Sequence, residues 1–392
     1  MVYIHGGGYV VGSSTNFYPA TFVINNDVIV VTLNYRLGIF GFLSLEDSSC
    51  PGNFALWDMR LALKWVKENI ASFGGDPDDV TISGESAGGS AVGYLTISPH
   101  TEGLFTKAYP QSGTPSSTFG LSLSPRRDAL KLARQLKCYS DDGDKAGLSS
   151  DVTAKIMQCL RQRPVSDFTE KTFTETNGEF VPTVDNDFLP RSPHQLLKDH
   201  SYLEKIGFYD RSYLIGINNN EASIMKSIFN RTFAAIRQQK ALSDEDKEKM
   251  IEYQRSTTLE FYVKSRLGQS TPGDIQEEIF DWYDRRFGNE TLAQLTGDAN
   301  FLLPTFDFLD AVARSNSAKA WLFHLNHFPR FMKGSVKGSI HALDLIYYFD
   351  LSVERLEGML RAGMDGELGM DQEDYMLRRL FGSFLADFVK HG

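Results

Sequence analysis

The sequence predicts an α/β fold built on a central, mostly parallel sheet. Three observations carry that expectation. Short apolar runs of strand composition alternate with segments of helical spacing. One run, Val28 to Leu33 (VIVVTL), is apolar without interruption, as expected of a strand buried on both faces. A third run, Val80-Thr81-Ile82-Ser83, passes through Gly84-Glu85-Ser86-Ala87-Gly88 directly into a helix-compatible segment, Ala87 to Ile97. A strand, a sharp turn and a helix in that order form the unit from which parallel sheets are built.

The other elements follow along the chain. Met1 to His5 is a short apolar strand running into Gly6-Gly7-Gly8. Trp57 to Phe73 has helical spacing, with Ala62, Val66 and Ile70 on one stripe. Tyr213 to Ile217 is a strand ending in the polar turn Asn218-Asn219-Asn220-Glu221, and Ala320 to Leu325 is another. The charged stretch from Ser227 to Arg286 reads as helical and is expected to form an insertion beside the sheet, near 227–300, as a lid or cap. Ala342 to Phe349 is helix-like. The chain opens on a strand, with no charged-then-apolar leader before it, and closes on a helical run. It reads as a piece of a longer protein.

Composition narrows the function classes. With 392 residues, 42% hydrophobic and 23% charged, the chain is ordinary for a soluble globular protein with a large core, and its length allows two or three domains. Forty Lys and Arg against fifty Asp and Glu leave a net charge of −10, which argues against a nucleic-acid partner. No apolar run reaches membrane-spanning length, since Asn34 and Arg36 break the stretch Val28 to Leu45. The cysteines Cys50, Cys138 and Cys159 lack metal-site spacing, and no metal site is expected. Cys138 and Cys159 flank a polar stretch, which leaves two readings open: a disulfide in an oxidising compartment, or two buried thiols. The sequons at Asn230 and Asn289 occur at about the chance rate.

The chemistry-bearing residues start from Ser86. The G-x-S-x-G turn is so tight that its neighbours must be tiny, and it thrusts the serine out beside a helix N-terminus. That makes Ser86 a candidate nucleophile, against the plainer reading of a glycine turn. A serine hydroxyl needs a base to take its proton and an acid to orient the base. Glu221 stands just past a late strand, where such an acid belongs, although most loop carboxylates are merely solvated. Of eight histidines, His341 follows the last strand candidate in a loop rich in Gly and Ser and precedes a helix-like segment. It is the candidate base, against the alternative of a surface loop histidine. The glycines after His5 could offer backbone donors to an oxyanion. Gly7 and Gly8 would supply two N–H groups and Ala87 a third, where the plainer reading is a flexible hinge. Glu85, beside the serine, is either a residue that shapes the field of the site or a structural part of the turn.

Together these residues resemble the type-B carboxylesterase and cholinesterase family. Asn34-Tyr35-Arg36-Leu37-Gly38 with Gly41-Phe42-Leu43 is similar to the family's segment after the oxyanion strand. So are Pro51-Gly52-Asn53, Trp57-Asp58 and Phe73-Gly74-Gly75-Asp76-Pro77. Gln111-Ser112-Gly113, Val184-Asp185, Phe188-Leu189-Pro190 and Gly216-Ile217-Asn218 add to the match, which is dense over about 1–225 and looser over 300–350. The resemblance implies an α/β-hydrolase fold in one catalytic domain over 1–392, and cleavage of carboxylic esters through an acyl-enzyme. It implies Ser86, Glu221 and His341 as nucleophile, acid and base, with Gly7, Gly8 and Ala87 as the oxyanion hole. It implies a small-molecule ester substrate, no cofactor and a secretory-pathway location. It also implies a Cys138–Cys159 disulfide, since Cys159-Leu160-Arg161 matches its second half, with Cys50 unpaired. The family includes cholinesterases, bile-salt-type lipases and adhesion proteins that keep the fold without the chemistry. Family members carry a segment before the glycine loop and a C-terminal section that are not found here. With early strands gone, Val2–Ile4 is expected to lie near a frayed terminus.

Overall fold

The computed structural model describes residues 1–140, 148–172, 180–222, 262–264, 272–329, 338–350 and 370–392. Six strands form one sheet: β1 (Val2–Ile4), β2 (Val31–Thr32), β3 (Thr81–Glu85), β4 (Lys107–Gln111), β5 (Ser212–Asn218) and β6 (Lys319–Leu325). Their order is β2-β1-β3-β4-β5-β6, and every neighbouring pair is parallel.

Alternation along the strands divides the core into two layers, because successive side chains point to opposite faces. Val2, Ile4, Ile82, Ala108, Tyr213 and Ile215 pack on the face covered by the helices Phe54–Asn69, Ala87–Ile97 and Pro125–Gln135. Tyr3, Tyr109 and Leu214 point the other way, toward the 3₁₀ turn Leu343–Tyr347 and the helix Gln372–His391. The C-terminal ends of β1, β3, β4, β5 and β6 lead into the segments that carry Gly7, Ser86, Ser112, Glu221 and His341. The register Glu85↔Gln111 and Gln111↔Gly216 brings three of those ends level.

Several expectations are corrected. Only Val31 and Thr32 of the run Val28–Leu33 are paired, and that strand is a half-buried sheet edge, not one buried on both faces. The first strand is not frayed. Val2, Tyr3 and Ile4 are buried between β2 and β3, so pairing on both sides outweighs nearness to the terminus. The helix expected from Trp57 begins at Phe54 and ends in a 3₁₀ turn over Ile70–Phe73. Its buried stripe runs through Met59, Leu63, Val66 and Ile70, with Ala62 at the margin. Ala342–Phe349 is not an α-helix, since Ala342 sits at φ 66° and Leu343–Tyr347 is a 3₁₀ turn. β4 (KAYPQ) has a proline in a central strand, a composition that argues against the strand it forms. The ladder to β5 accommodates it: pairs form at 107, 108 and 111, and lapse around Pro110, which has no N–H to give.

Of the expected insertion, the described part is helical over Gly273–Phe287 and Thr291–Gly297 and passes through a π-helical turn, Asp298–Leu302, into Leu303–Ala313. Residues 223–261 and 265–271, including Asn230, lie outside the described residues. Asn289 falls in a 3₁₀ turn, Gly288–Glu290. Cys138 and Cys159 form a disulfide, and Cys50 is a buried free thiol.

Candidate functional site

The turn after β3 is fixed by crowding. Ser86 sits at φ 59° and ψ −122°, a region that L-residues rarely occupy. Its N–H donates to Gln111 O at 2.8 Å, and its carbonyl accepts from Ser90 N at 2.9 Å, so backbone bonds hold it there. The flanking glycines are required by space. A Cβ on Gly84 would lie 2.5 Å from Gly88 O, and one on Gly88 would lie 2.1 Å from Ile4 O. Gly113 approaches from the next strand so closely that its Cβ would meet Ser86 O at 2.2 Å.

The glycine loop packs against the same turn. Gly7 and Gly8 have φ of 112° and 62°. Gly7 O accepts from Val10 N and Val11 N, both at 3.1 Å, closing a turn. Among the described residues, the N–H groups of Gly7, Gly8 and Ala87 make no hydrogen bond. His5 is anchored beneath them, stacked on Tyr35 with ring centroids 4.4 Å apart, while Tyr35 Oη donates to His5 O at 2.7 Å.

Glu221 and His341 meet across the loops that follow β5 and β6. Glu221 Oε2 accepts from His341 Nδ1 at 2.7 Å. Its other oxygen, Oε1, accepts from Ser112 Oγ and from Asn218 N, each at 2.6 Å. The carboxylate is therefore held on both oxygens. The other ring nitrogen, His341 Nε2, lies 3.0 Å from Glu85 Oε1. That contact is an ion pair without hydrogen-bond alignment, since Glu85 Oε1 has no aligned donor. The Ser86 hydroxyl makes no hydrogen bond to a described residue, so a serine–imidazole bond is not formed in this structure. Nε2 instead rests against the chain neighbour of Ser86. Phe301, on the π-helical turn, closes the other side, with its ring centroid 4.9 Å from that of His341.

The electrostatics follow from this placement. Burial alone would lower the pKa of His341. The nearby Glu85 and Glu221 carboxylates outweigh it and push the imidazole up to about 10. Asp344 lies beneath, 1% exposed, where burial and the Glu85 charge push its carboxyl up to about 7. It accepts from Gln111 Nε2 at 2.8 Å and from Asn218 Nδ2 at 3.2 Å, and Gln111 Nε2 also reaches Tyr348 Oη. Sequence reasoning gave no role to Ser112, Asn218, Gln111, Asp344 or Phe301. Gln111, Ser112 and Asn218 stood in segments similar to the family's, and Asp344 was marked only by standing three residues after His341.

The arrangement can do acid–base work: a strained serine, an imidazole backed by a doubly anchored carboxylate, and three unused backbone donors. Among the described residues no cluster of His, Cys, Asp and Glu is built to hold a metal ion, and no helix is long and apolar enough to cross a membrane.

Comparison with known proteins agrees with the fold. The chain is 34% identical to carboxylesterase 3B of Mus musculus over 331 residues, covering 84% of this chain and 52% of that protein. It is 33% identical to bile salt-activated lipase of Homo sapiens over 369 residues, covering 89% of this chain and 46% of the relative. Neuroligin-2 of Homo sapiens is 29% identical over 402 residues, covering 100% of this chain and 44% of its own length. The chain thus spans about half the length of the curated relatives it matches. The Carboxylesterase family matches over residues 1–392, and the parallel sheet with helices on both faces is its α/β-hydrolase fold. The chain belongs to the carboxylesterase family.

Proposed function

We propose that the protein hydrolyses small carboxylic esters through an acyl-enzyme. The observation that carries this reading is the 2.7 Å bond from His341 Nδ1 to Glu221, which leaves Nε2 against the turn that presents Ser86. In the reacting complex, Nε2 turns from Glu85 to the hydroxyl of the adjacent residue and takes its proton. Ser86 Oγ attacks the carbonyl carbon, and the N–H groups of Gly7, Gly8 and Ala87 receive the negative charge on the oxygen. The imidazolium then protonates the leaving alcohol. A water molecule, deprotonated by the same nitrogen, releases the acid and frees the serine. Glu221 keeps the ring in the tautomer that accepts at Nε2 and stabilises it when charged. Every step draws on side chains and backbone of this chain.

Catalysis in a single domain and a place in the secretory pathway belong to the same reading, and the Cys138–Cys159 disulfide supports the second. Turnover of a chromogenic acetate ester by the protein and by Ser86→Ala tests the chemistry. The variant is expected to lose activity by about 10⁶-fold, and equal rates would end the reading. A non-catalytic adhesion protein on the same fold is the second reading, favoured by the contact of His341 Nε2 with Glu85 in place of a bond to the Ser86 hydroxyl. Rates on choline, short aliphatic and long-chain esters distinguish a cholinesterase or bile-salt-type lipase from a general carboxylesterase.

A further inference from the structure

We propose that Asn219 is a positioning residue that joins the loop carrying Glu221 to the loop carrying His341, and so sets the separation of the two. The role rests on the ester-hydrolase reading above. Glu221 follows the end of β5 closely, and Asn218 N already holds its carboxylate. His341 has no such advantage, because it returns to the site after a long excursion from the end of β6 at Leu325. Loop closure costs little extra for each added residue, but closure alone does not place an atom to within an ångström.

The Asn219 side chain and backbone supply the placement. Asn219 N donates to Leu325 O at 3.0 Å, and Nδ2 reaches Asn326 Oδ1. Asn219 Oδ1 accepts from the N–H of Ser339 at 2.6 Å, and Ser339 is fully buried. The next residue repeats the tie: Asn220 N donates to Ser339 O at 2.9 Å, and Asn220 and Ile340 pair as an isolated parallel bridge. Ser339 Oγ donates to His327 O on the outgoing limb of the excursion. Gly338 completes the fit. It has φ +79°, and a Cβ there would lie 2.4 Å from Asn219 Oδ1, so the amide fills the space that a side chain at 338 would need. Two residues beyond this joint stands His341. Removing the amide would leave the buried Ser339 N–H without its acceptor and free the base to shift along the acid.

The test is hydrolysis of p-nitrophenyl acetate by the full chain and by Asn219→Ala, Asn219→Asp and Gly338→Ala, each with a melting curve and a pH profile of kcat/KM. Asn219→Ala is expected to lower kcat by about 100-fold with KM within about twofold, as for a displacement of about 1 Å. Asn219→Asp keeps the acceptor for Ser339 N–H but loses the donor to Asn326 Oδ1, so it should recover part of that loss. Gly338→Ala should reproduce it and, with the aspartate variant, decides the matter if the alanine variant does not fold. Wild-type kcat in Asn219→Ala, or equal losses in Asn219→Ala and Asn219→Asp, would overturn the role. A wild-type protein without Ser86-dependent turnover would sink the ester-hydrolase reading and this role together. Wild-type turnover with an unaffected Asn219→Ala would sink this role alone.

Discussion

The two halves of the site are held by different physics. The serine half is fixed by backbone crowding within a few residues: Gly84, Gly88 and Gly113 leave no room for a side chain, and the strained φ of Ser86 is locked by its own hydrogen bonds. The base half is held by side chains that come from distant parts of the chain. Glu221 bonds Ser112 across 109 residues and His341 across 120. A turn fixed by exclusion cannot be loosened by changing one polar group. A pair fixed by hydrogen bonds can be, and it can respond to pH. The difference predicts that substitutions of the glycines around Ser86 act on folding, whereas substitutions of the polar groups in the base half act through rate and pH dependence.

After Ser86→Ala, Glu221→Gln should have the largest effect. It keeps the shape and removes the charge that selects the imidazole tautomer, so kcat is expected to fall about 10⁴-fold while the fold persists. Steady-state kinetics beside a melting curve would check both parts, and a fall in stability without a matching fall in kcat would break the contrast. Gly88→Ala should behave in the opposite way. Its Cβ would sit 2.1 Å from Ile4 O and 2.9 Å from His5 O, so the strand carrying the glycine loop must shift. The expected loss is about 3 kcal/mol of stability, measured by denaturant unfolding. A variant of wild-type stability would show that the turn is not fixed by crowding.

How much of each half was legible in the sequence follows the same division. The turn around Ser86 announces itself because its steric demand falls on adjacent residues, so strand, glycines and helix stand together in VTISGESAGGSA. Glu221 and His341 were placed by their position after strands, but what holds them was not legible. Asn219 looked like one more residue of a polar turn. Asp344 has partners 233 and 126 residues away, a relation that no local pattern encodes. β4 was hidden because Pro110 contradicts a central strand, and only the lapse in the ladder shows how it is tolerated. The edge strand β2 was overextended for the opposite reason: apolar residues beyond Val31–Thr32 pack without pairing.

Glu85 belongs to both halves and gives a smaller test. Its carboxylate helps hold His341 in the charged form, which cannot accept a proton from Ser86. Turnover should therefore rise with pH through neutrality into the alkaline range. Glu85→Gln removes that charge, so the rise should begin at lower pH and the rate at pH 7 should increase by about tenfold. A pH profile of kcat/KM that does not move would mean that Glu85 serves the turn alone.

The last effect is on stability against pH, and its sign is opposite to the usual behaviour of a carboxylate. Asp344 has its folded pKa raised from 3.8 to about 7 by burial and by Glu85, so the native state holds a proton that the unfolded chain has lost. Its contribution is fully present below pH 3.8 and is lost as pH rises toward 7. His341, raised from 6.5 to about 10, keeps its contribution below pH 6.5 and loses it as pH climbs to 10. The two losses follow one another, so the base half should weaken steadily from mild acid to alkali while the serine half, held by crowding, does not. Asp344→Asn should remove the acid-side decline and leave the alkaline one in place. Melting temperatures measured from pH 4 to pH 10 in both proteins would show this. A decline that survives unchanged below pH 7 in the asparagine variant would place its origin outside the site and blur the line between the two halves.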